Sequence, residues 1–559
     1  MAKFQIPPID NRAWRGIFEG EFAGNINFAR NIDLERSKGK VTLADSYSHI
    51  VNSSQGGFSN LTTPIAFVRS SADGTDRWWA NGGRLFKTTG TDPEAGWAVD
   101  NLADSPTAPL YDLIDFVGAL ICPTSTDLAR LSTTWTPAWW SSLTNASALQ
   151  ALPHRFAIFE GALCITDGRF INDYDGTIAR DPALTLPVGF EARWLKVWRD
   201  LLFIGGVDTT GAEAKVFTWR RSLVLPEAAY PIGATEALAC FVADVPYIIT
   251  NQGEIKQFTG VGFQTVAKFP HIELGGVLDE IHPNGITVSE NIAKILVRGD
   301  LEVSLQLKGT ADGIWHFDTI TKNLYHAGSV RNTTGNDYAQ QQLAGVGAIV
   351  PTAISQGAYL IGAQVYTVFN GTTRYGIFSS DEGATSNRGY FITPKIPAAD
   401  SRNYWRYITA KMGKLTAAAD RVRVAYRAED SIVLPAYETI TWTAANQFTG
   451  SNADAVVGDF VEILAGDNAG AIAPITVIAG GSAPFTFTIS TSLNISANTA
   501  RARYLRFTDL GVISNQTLQE QRFVVAARSN WIQLLIYIEG TELSPYIESL
   551  LLEFDPKRL

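Results

Sequence analysis

An apolar strand, a tight turn, a second apolar strand, then a Gly or Asp and a short aromatic-bearing strand form a unit that recurs along the middle of this chain. No other feature restricts its fold as much. One copy reads Arg155-Phe156-Ala157-Ile158-Phe159-Glu160-Gly161, then Ala162-Leu163-Cys164-Ile165-Thr166, then Gly168-Arg169-Phe170-Ile171. The next opens at Trp194-Leu195-Lys196-Val197-Trp198 and another at Leu238-Ala239-Cys240-Phe241-Val242. Weaker copies flank them. Starting points near 65, 116, 155, 194, 238, 293 and 358 give steps of 51, 39, 39, 44, 55 and 65. Four-stranded propeller blades take about 40–50 residues each. A row of β-sandwiches would also end every strand in a turn, but it leaves strand edges open where radial closure protects them.

The spacing therefore predicts an all-β chain with a β-propeller of six or seven blades at 61–385. After residue 385 the texture changes. Val422, Val424 and Tyr426 alternate with polar residues, as do Ile532, Leu534, Ile536 and Ile538, and Leu550, Leu552 and Phe554. Period two means antiparallel strands with one buried face, so a β-sandwich is expected at 386–449 and 501–559. Residues 450–500, rich in Gly, Ala, Ser and Thr, are expected to form a small β-barrel or hairpin insertion. Residues 1–60 are turn-rich and polar. They are expected to be an arm onto a neighbour, anchored by Trp14, Phe18 and Phe22, or the segment that closes the propeller.

Composition narrows the function. Lys plus Arg is 45 and Asp plus Glu is 55, giving −10. That argues against a dedicated nucleic-acid binder, which carries a basic stripe; an acidic wall lets DNA pass without holding it. The 14 Trp, 29 Phe and 18 Tyr suit pleated, half-buried surfaces. The three cysteines, Cys122, Cys164 and Cys240, sit in apolar runs with no Cys-x-x-Cys spacing and read as buried reduced thiols. The opening from Met1 to Trp14 has no apolar signal-peptide core, and no run reaches the length of a membrane span. The expectation is a chain made in the cytoplasm with no membrane partner.

Catalytic and metal signatures do not assemble. Ser379-Ser380-Asp381-Glu382-Gly383-Ala384-Thr385 resembles the Asp-box turn of sialidase-type propellers, with Ser386 in place of the final aromatic, and Ser71-Ala72-Asp73-Gly74-Thr75 is a looser match. An Asp-box is a folding element whose Asp binds turn backbone. A glycosidase needs two positioned carboxylates. Asp173, Asp175, Asp279 and Glu280 are candidates, but they read better as turn residues. A sialidase also needs an arginine cluster, and Arg220-Arg221 is only one adjacent pair. None of His49, His154, His271, His282, His316 and His326 falls in a metal-ligand spacing. Of the pairs Trp78-Trp79 and Trp139-Trp140, one member each is expected to point outward if they lie in strands. No catalytic, cofactor-binding or metal-binding residue is assigned, and no cofactor is expected.

Three passages carry a resemblance: Asn31-Ile32-Asp33-Leu34-Glu35-Arg36-Ser37-Lys38-Gly39-Lys40-Val41; Gly313-Ile314-Trp315-His316-Phe317-Asp318 with Tyr325-His326-Ala327-Gly328; and Leu543-Ser544-Pro545-Tyr546-Ile547-Glu548-Ser549-Leu550-Leu551-Leu552-Glu553-Phe554. With the architecture, they resemble the propeller-bearing structural proteins of tailed phages, of the tail nozzle or tail-tube type. The resemblance implies a non-enzymatic virion subunit forming a cyclic ring with itself. Such a subunit lies in the DNA exit path or mounts fibres, and touches other tail or head–tail connector proteins and passing DNA without tight binding. The alternative expectation is a propeller that binds or degrades carbohydrate at the host surface.

Overall fold

The computed structural model describes residues 2–6, 28–34, 40–49, 65–70, 76–81, 84–89, 97–98, 110–269, 281–297, 313–328, 343–344, 349–351, 359–367, 372–385, 388–397, 403–428, 438–465, 471–493, 499–540 and 545–556, apart from positions 133, 282 and 290. Among the described residues the one helical element is a 3-10 turn, Trp140–Ser142; all other regular structure is strand.

Six four-stranded antiparallel sheets follow one another at 65–98, 114–136, 156–185, 190–231, 237–268 and 286–328. Each is a meander paired in chain order, and we call them blades 1 to 6. A seventh sheet sets Leu343–Ala344 and Ile349–Pro351 against Tyr359–Thr367, followed by Thr372–Thr385. Its outer strand comes from the start of the chain: in Asp45–His49, Ser48 lies opposite Ser379 and His49 opposite Phe378.

Among the described residues, blades 2 to 5 are apolar on both faces because each face meets a neighbour. Trp78 and Leu85 of blade 1 share a cluster with Cys122 and Ala129 of blade 2. Leu128 and Trp140 meet Leu163 and Ile165 of blade 3. Phe159 and Ile171 meet Leu202 and Trp219 of blade 4. Trp194 and Phe203 meet Cys240 and Ile248 of blade 5, and Phe241 and Tyr247 meet Phe317 of blade 6. Ile286–Ser289 then packs on Ile349–Pro351 of blade 7, and Tyr359–Thr367 packs on Ile65–Ser70 of blade 1. The ring closes, the last blade lying against the first. The fold is an all-β seven-bladed propeller.

The propeller is followed by a β-sandwich. One sheet runs in the order Ala2–Ile6, Ile547–Pro556, Asn403–Met412, Glu520–Ser529; the other runs Phe28–Arg30, Arg388–Ile392, Trp531–Glu539, Arg421–Arg427, Thr508–Ile513. Leu550, Leu552 and Ile408 of the first meet Val422, Val424, Ile532, Leu534 and Ile536 of the second in one core that continues into blades 5 and 6. The segment around Asn31 joins the two bodies. Its main-chain N–H donates to Nδ1 of His326, on the outer strand of blade 6, at 3.2 Å, and its side-chain amide donates to the carbonyl of Arg388 at 3.2 Å.

The described parts of the first sixty residues are therefore paired within their own chain: in the sandwich, in blade 7, and in a two-stranded ribbon of Ile32–Asp33 with Thr42–Leu43. Trp14, Phe18 and Phe22 lie outside the described residues.

The insertion is a closed six-stranded barrel, in the order Glu438–Ala444, Gln447–Gly450, Phe485–Ile489, Ile472–Ala479, Phe460–Ala465, Thr499–Leu505. It is wider than the 450–500 stretch read from composition, because polar, Thr-rich strands on both sides complete its wall. Its interior is filled by Trp442, Phe448, Phe487 and Tyr504. It also changes the sandwich beneath it. Alternation predicts one buried face for Trp531–Glu539, but Leu535 and Tyr537 on the other face are buried too, against Phe460 and Ile472 of the barrel. At that junction Tyr390 donates its hydroxyl to Glu462 at 3.0 Å, and Arg503 pairs with the same carboxylate.

Candidate functional site

In a four-stranded meander the turns between strands 1 and 2 and between strands 3 and 4 lie at one edge; the turn between strands 2 and 3 lies at the other. Contacts between neighbouring blades show that the first set forms one face of the ring. A Cβ placed on Gly176, in the last turn of blade 3, would stand 3.8 Å from Cγ2 of Val117, in the first turn of blade 2. Arg180 Nη1 donates to the carbonyl of Arg221, in the last turn of blade 4, at 3.3 Å. Trp198, before the first turn of blade 4, donates its indole N–H to the Asp244 carbonyl in the first turn of blade 5 at 3.1 Å. Lys322 of blade 6 donates to the Tyr247 hydroxyl of blade 5 at 2.7 Å.

The tips of these turns carry aliphatic side chains in water. Ile178, the run Leu223-Val224-Leu225, Val261 and Ile320 occupy the last turns of blades 3, 4, 5 and 6; Val224 is 79%, Val261 88% and Ile320 69% exposed. Single exposed aliphatics are ordinary, but one at the same place in four successive blades is a patterned surface. Val117 adds a fifth in the first turn of blade 2, and takes φ of 51° to do so.

Between the tips, charges are matched. Asp173, fully buried on the third strand of blade 3, accepts from Arg180 Nε at 2.9 Å and from Arg221 Nε at 2.9 Å. Arg221 also lies 3.7 Å from Asp175. Arg220 turns the other way, to Glu227 at 2.8 Å and to Asp200. The adjacent pair Arg220-Arg221 is thus split between two sets of carboxylates, while Arg180 supplies the second guanidinium at Asp173. Asp175 accepts the N–H groups of Thr177 and Ile178 at 2.9 and 2.8 Å. Those two bonds are the main reason its carboxyl sits below the usual carboxylate range. Asp173 and Asp175 are a clamp and a turn cap; Asp279 and Glu280 lie outside the described residues.

Trp139 and Trp140 are both buried; they sit before and in the 3-10 turn and not in a strand, so the strand condition under which one would point outward does not apply to them. Trp78 is buried, with Lys87 over its ring. Residues 379–385, expected as a turn, run inside the strand Thr372–Thr385, where the register against Asp45–His49 shifts between Ser380 and Thr385. Pairing with the closing strand makes this stretch a bulged strand. Residues 71–75 lie outside the described residues. His154 is fully buried, its ring nitrogens facing the carbonyls of Thr166 and Gln150 at 2.6 and 3.1 Å; His316 Nδ1 lies 3.2 Å from the Tyr325 hydroxyl. Among the described residues no group of three or more His, Cys, Asp or Glu is placed to hold a metal, and no helix is long and apolar enough to cross a membrane. All three cysteines are free and buried; burial pushes the thiols of Cys164 and Cys240 up to about 12, and that of Cys122 well above its ordinary value.

The aliphatic tips are hidden in the sequence because Leu223-Val224-Leu225 reads as strand. The signal that could have found them is position, between Arg220-Arg221-Ser222 and Pro226, where a strand has just ended.

No family model matches the chain, and no curated protein matches it. Solved structures similar to it include the WD40 β-propeller domain of Doa1, at 10% identity and a TM-score of 0.40 over 60% of this chain and 98% of that one. The Neurospora crassa Pan2 WD40 domain is similar at 10% and 0.38 over 61% and 98%. The computationally designed Ika8 protein is similar at 12% and 0.34 over 62% and 96%. Likeness at this level carries no functional inference; the propeller assignment stands on the sheet order and register above.

Proposed function

We propose that the chain is a non-catalytic structural subunit of a tailed-phage virion, a ring component of the tail nozzle or tail tube that lines the DNA exit path or mounts fibres. The observation that carries the structural half of this reading is the turn face. A closed ring presents aliphatic side chains at equivalent places in four successive blades, with Asp173, Arg180, Arg220 and Arg221 between them held in ion pairs. Such a surface suits protein contact, because a patterned set of exposed apolar side chains marks an interaction surface. The virion half rests on the three passages that resemble phage tail proteins. The net charge of −10 agrees with DNA passing rather than binding.

The carbohydrate-active alternative needs an open pocket with two free carboxylates, and Asp173 and Asp175 are committed to a clamp and a turn. One comparison separates the readings. The chain should copurify with intact particles and release no reducing ends from host surface polysaccharide. Polysaccharide turnover that is lost on changing a carboxylate would overturn the proposal.

A further inference from the structure

The barrel and the sandwich sheet beneath it enclose a cleft of about 340 Å³, counting its open mouth. Its floor is three adjacent strands of that sheet. Register sets Arg421 opposite Glu539, and Arg423 between Tyr537 and Val512. Its wall is the barrel, with Ile472 at the start of one strand and Thr491 and Leu493 just after another. The acids here already have partners: Arg388 lies 3.3 Å from Glu539, and Arg423 pairs with Asp509. Arg421 lines the same cleft, and among the described residues it has no hydrogen-bond or ion-pair partner. Counting those partners, three guanidiniums meet two carboxylates, so one positive charge is left over. Burial raises the pKa of the Tyr537 hydroxyl, which keeps its proton. The Ile472 N–H faces the oxygen of that hydroxyl, so its own proton can donate into the cleft.

We propose that this cleft binds a small hydroxylated carboxylate, about the size of one acidic sugar, its carboxylate on Arg421 and Tyr537 and a hydroxyl on Glu539. A guanidinium is a planar fork of donors that matches the two oxygens of a carboxylate. Only one positive charge is left over, so a monoanion fits; a phosphate dianion would set its second charge against Glu539. The Glu539 carboxylate accepts and does not donate, so the ligand must bring a donor of its own. Ile472, Leu493 and Val512 supply apolar surface for a carbon skeleton. A cleft of this volume lies at the lower end of the range for small-molecule sites, which favours a single ring over a chain. The site lies away from the propeller's turn face and does not depend on the chain's place in a particle.

Isothermal titration calorimetry of the full chain with glucuronate, glucose and inorganic phosphate tests this. Glucuronate should bind, and glucose and inorganic phosphate should each bind at least about 10-fold more weakly. Arg421 is exposed, so Arg421→Gln should leave the fold intact. It should weaken glucuronate binding about 10-fold or more, as loss of a charge-assisted hydrogen bond does. Tyr537→Phe keeps the ring and removes only the O–H, and should weaken binding about 5-fold. Arg220→Gln, on the propeller, should bind as the wild type does. Circular dichroism confirms that each variant keeps its strands. A wild type that does not bind glucuronate would overturn the proposal, as would equal binding of glucose or inorganic phosphate. So would an Arg421→Gln or Tyr537→Phe variant that binds glucuronate as tightly as the wild type.

Discussion

Arg221 Nε lies 2.9 Å from Oδ2 of Asp173, across the junction between blades 4 and 3, and Asp173 is fully buried. One carboxylate thus holds guanidiniums from two blades, because Arg180 reaches it from its own blade. Asp173→Asn should cost about 3 kcal/mol, since removing one partner leaves the rest of a buried pair uncompensated. Urea denaturation measures this. Arg220→Gln, at the exposed pair with Asp200 and Glu227, should not move the midpoint measurably.

Val117 is a β-branched residue at φ 51° on an exposed turn. Its Cβ makes the left-handed region costly. Val117→Asn should stabilise the chain by about 1 kcal/mol, because Asn tolerates that region. A thermal midpoint that falls would show that side-chain contacts, and not backbone strain, govern this turn.

Gly206 sits where the register between the first two strands of blade 4 shifts, at Ala192 and Trp194. A Cβ there would lie 2.0 Å from the main-chain oxygen of Glu191, which cannot move without breaking the bulge. Gly206→Ala should therefore destabilise by about 3 kcal/mol. Gly211→Ala, with nothing within 4 Å of its Cβ, isolates the backbone term, its φ being 75°; it should cost about 1 kcal/mol. Both are read from denaturation midpoints.

The cysteines should be silent in the native chain. A raised thiol pKa favours the neutral form, so at pH values below about 12 the thiolate of Cys164 and Cys240 is scarce, and burial blocks access as well. A thiol reagent should label none of the three between about pH 7 and 9, where an ordinary exposed thiol ionises, and all three in denaturant. Rapid native labelling of any one would show an opening blade junction.

Much of this fold is legible because its units are local. Blades 3 to 5 are written as consecutive apolar runs with turns between, and the alternation of Val422 and Val424 matches their burial. Pairings between distant parts of the sequence are not legible. The closing strand Asp45–His49 finds its partner near Phe378, and nothing in its short, largely polar text announces it. The second buried face of Trp531–Glu539 depends on a barrel inserted after Arg427, so Leu535 and Tyr537 cannot be told from outward-facing positions. Among site residues, Arg220 and Arg221 are visible as a pair, but their opposite allegiances follow from how blades 3 and 4 meet. Exposure of Val224 and Leu225 depends on the same meeting of blades.

If this chain works as a fixed component of an assembled particle, its copy number there is set by symmetry. Quantitative mass spectrometry of density-purified, salt-washed particles from cells that produce it reads that number. The expected result is a constant small-integer number of copies relative to the other particle proteins, unchanged by further washing. A chain absent from the particles, or present in amounts that fall with each wash, would contradict a structural role.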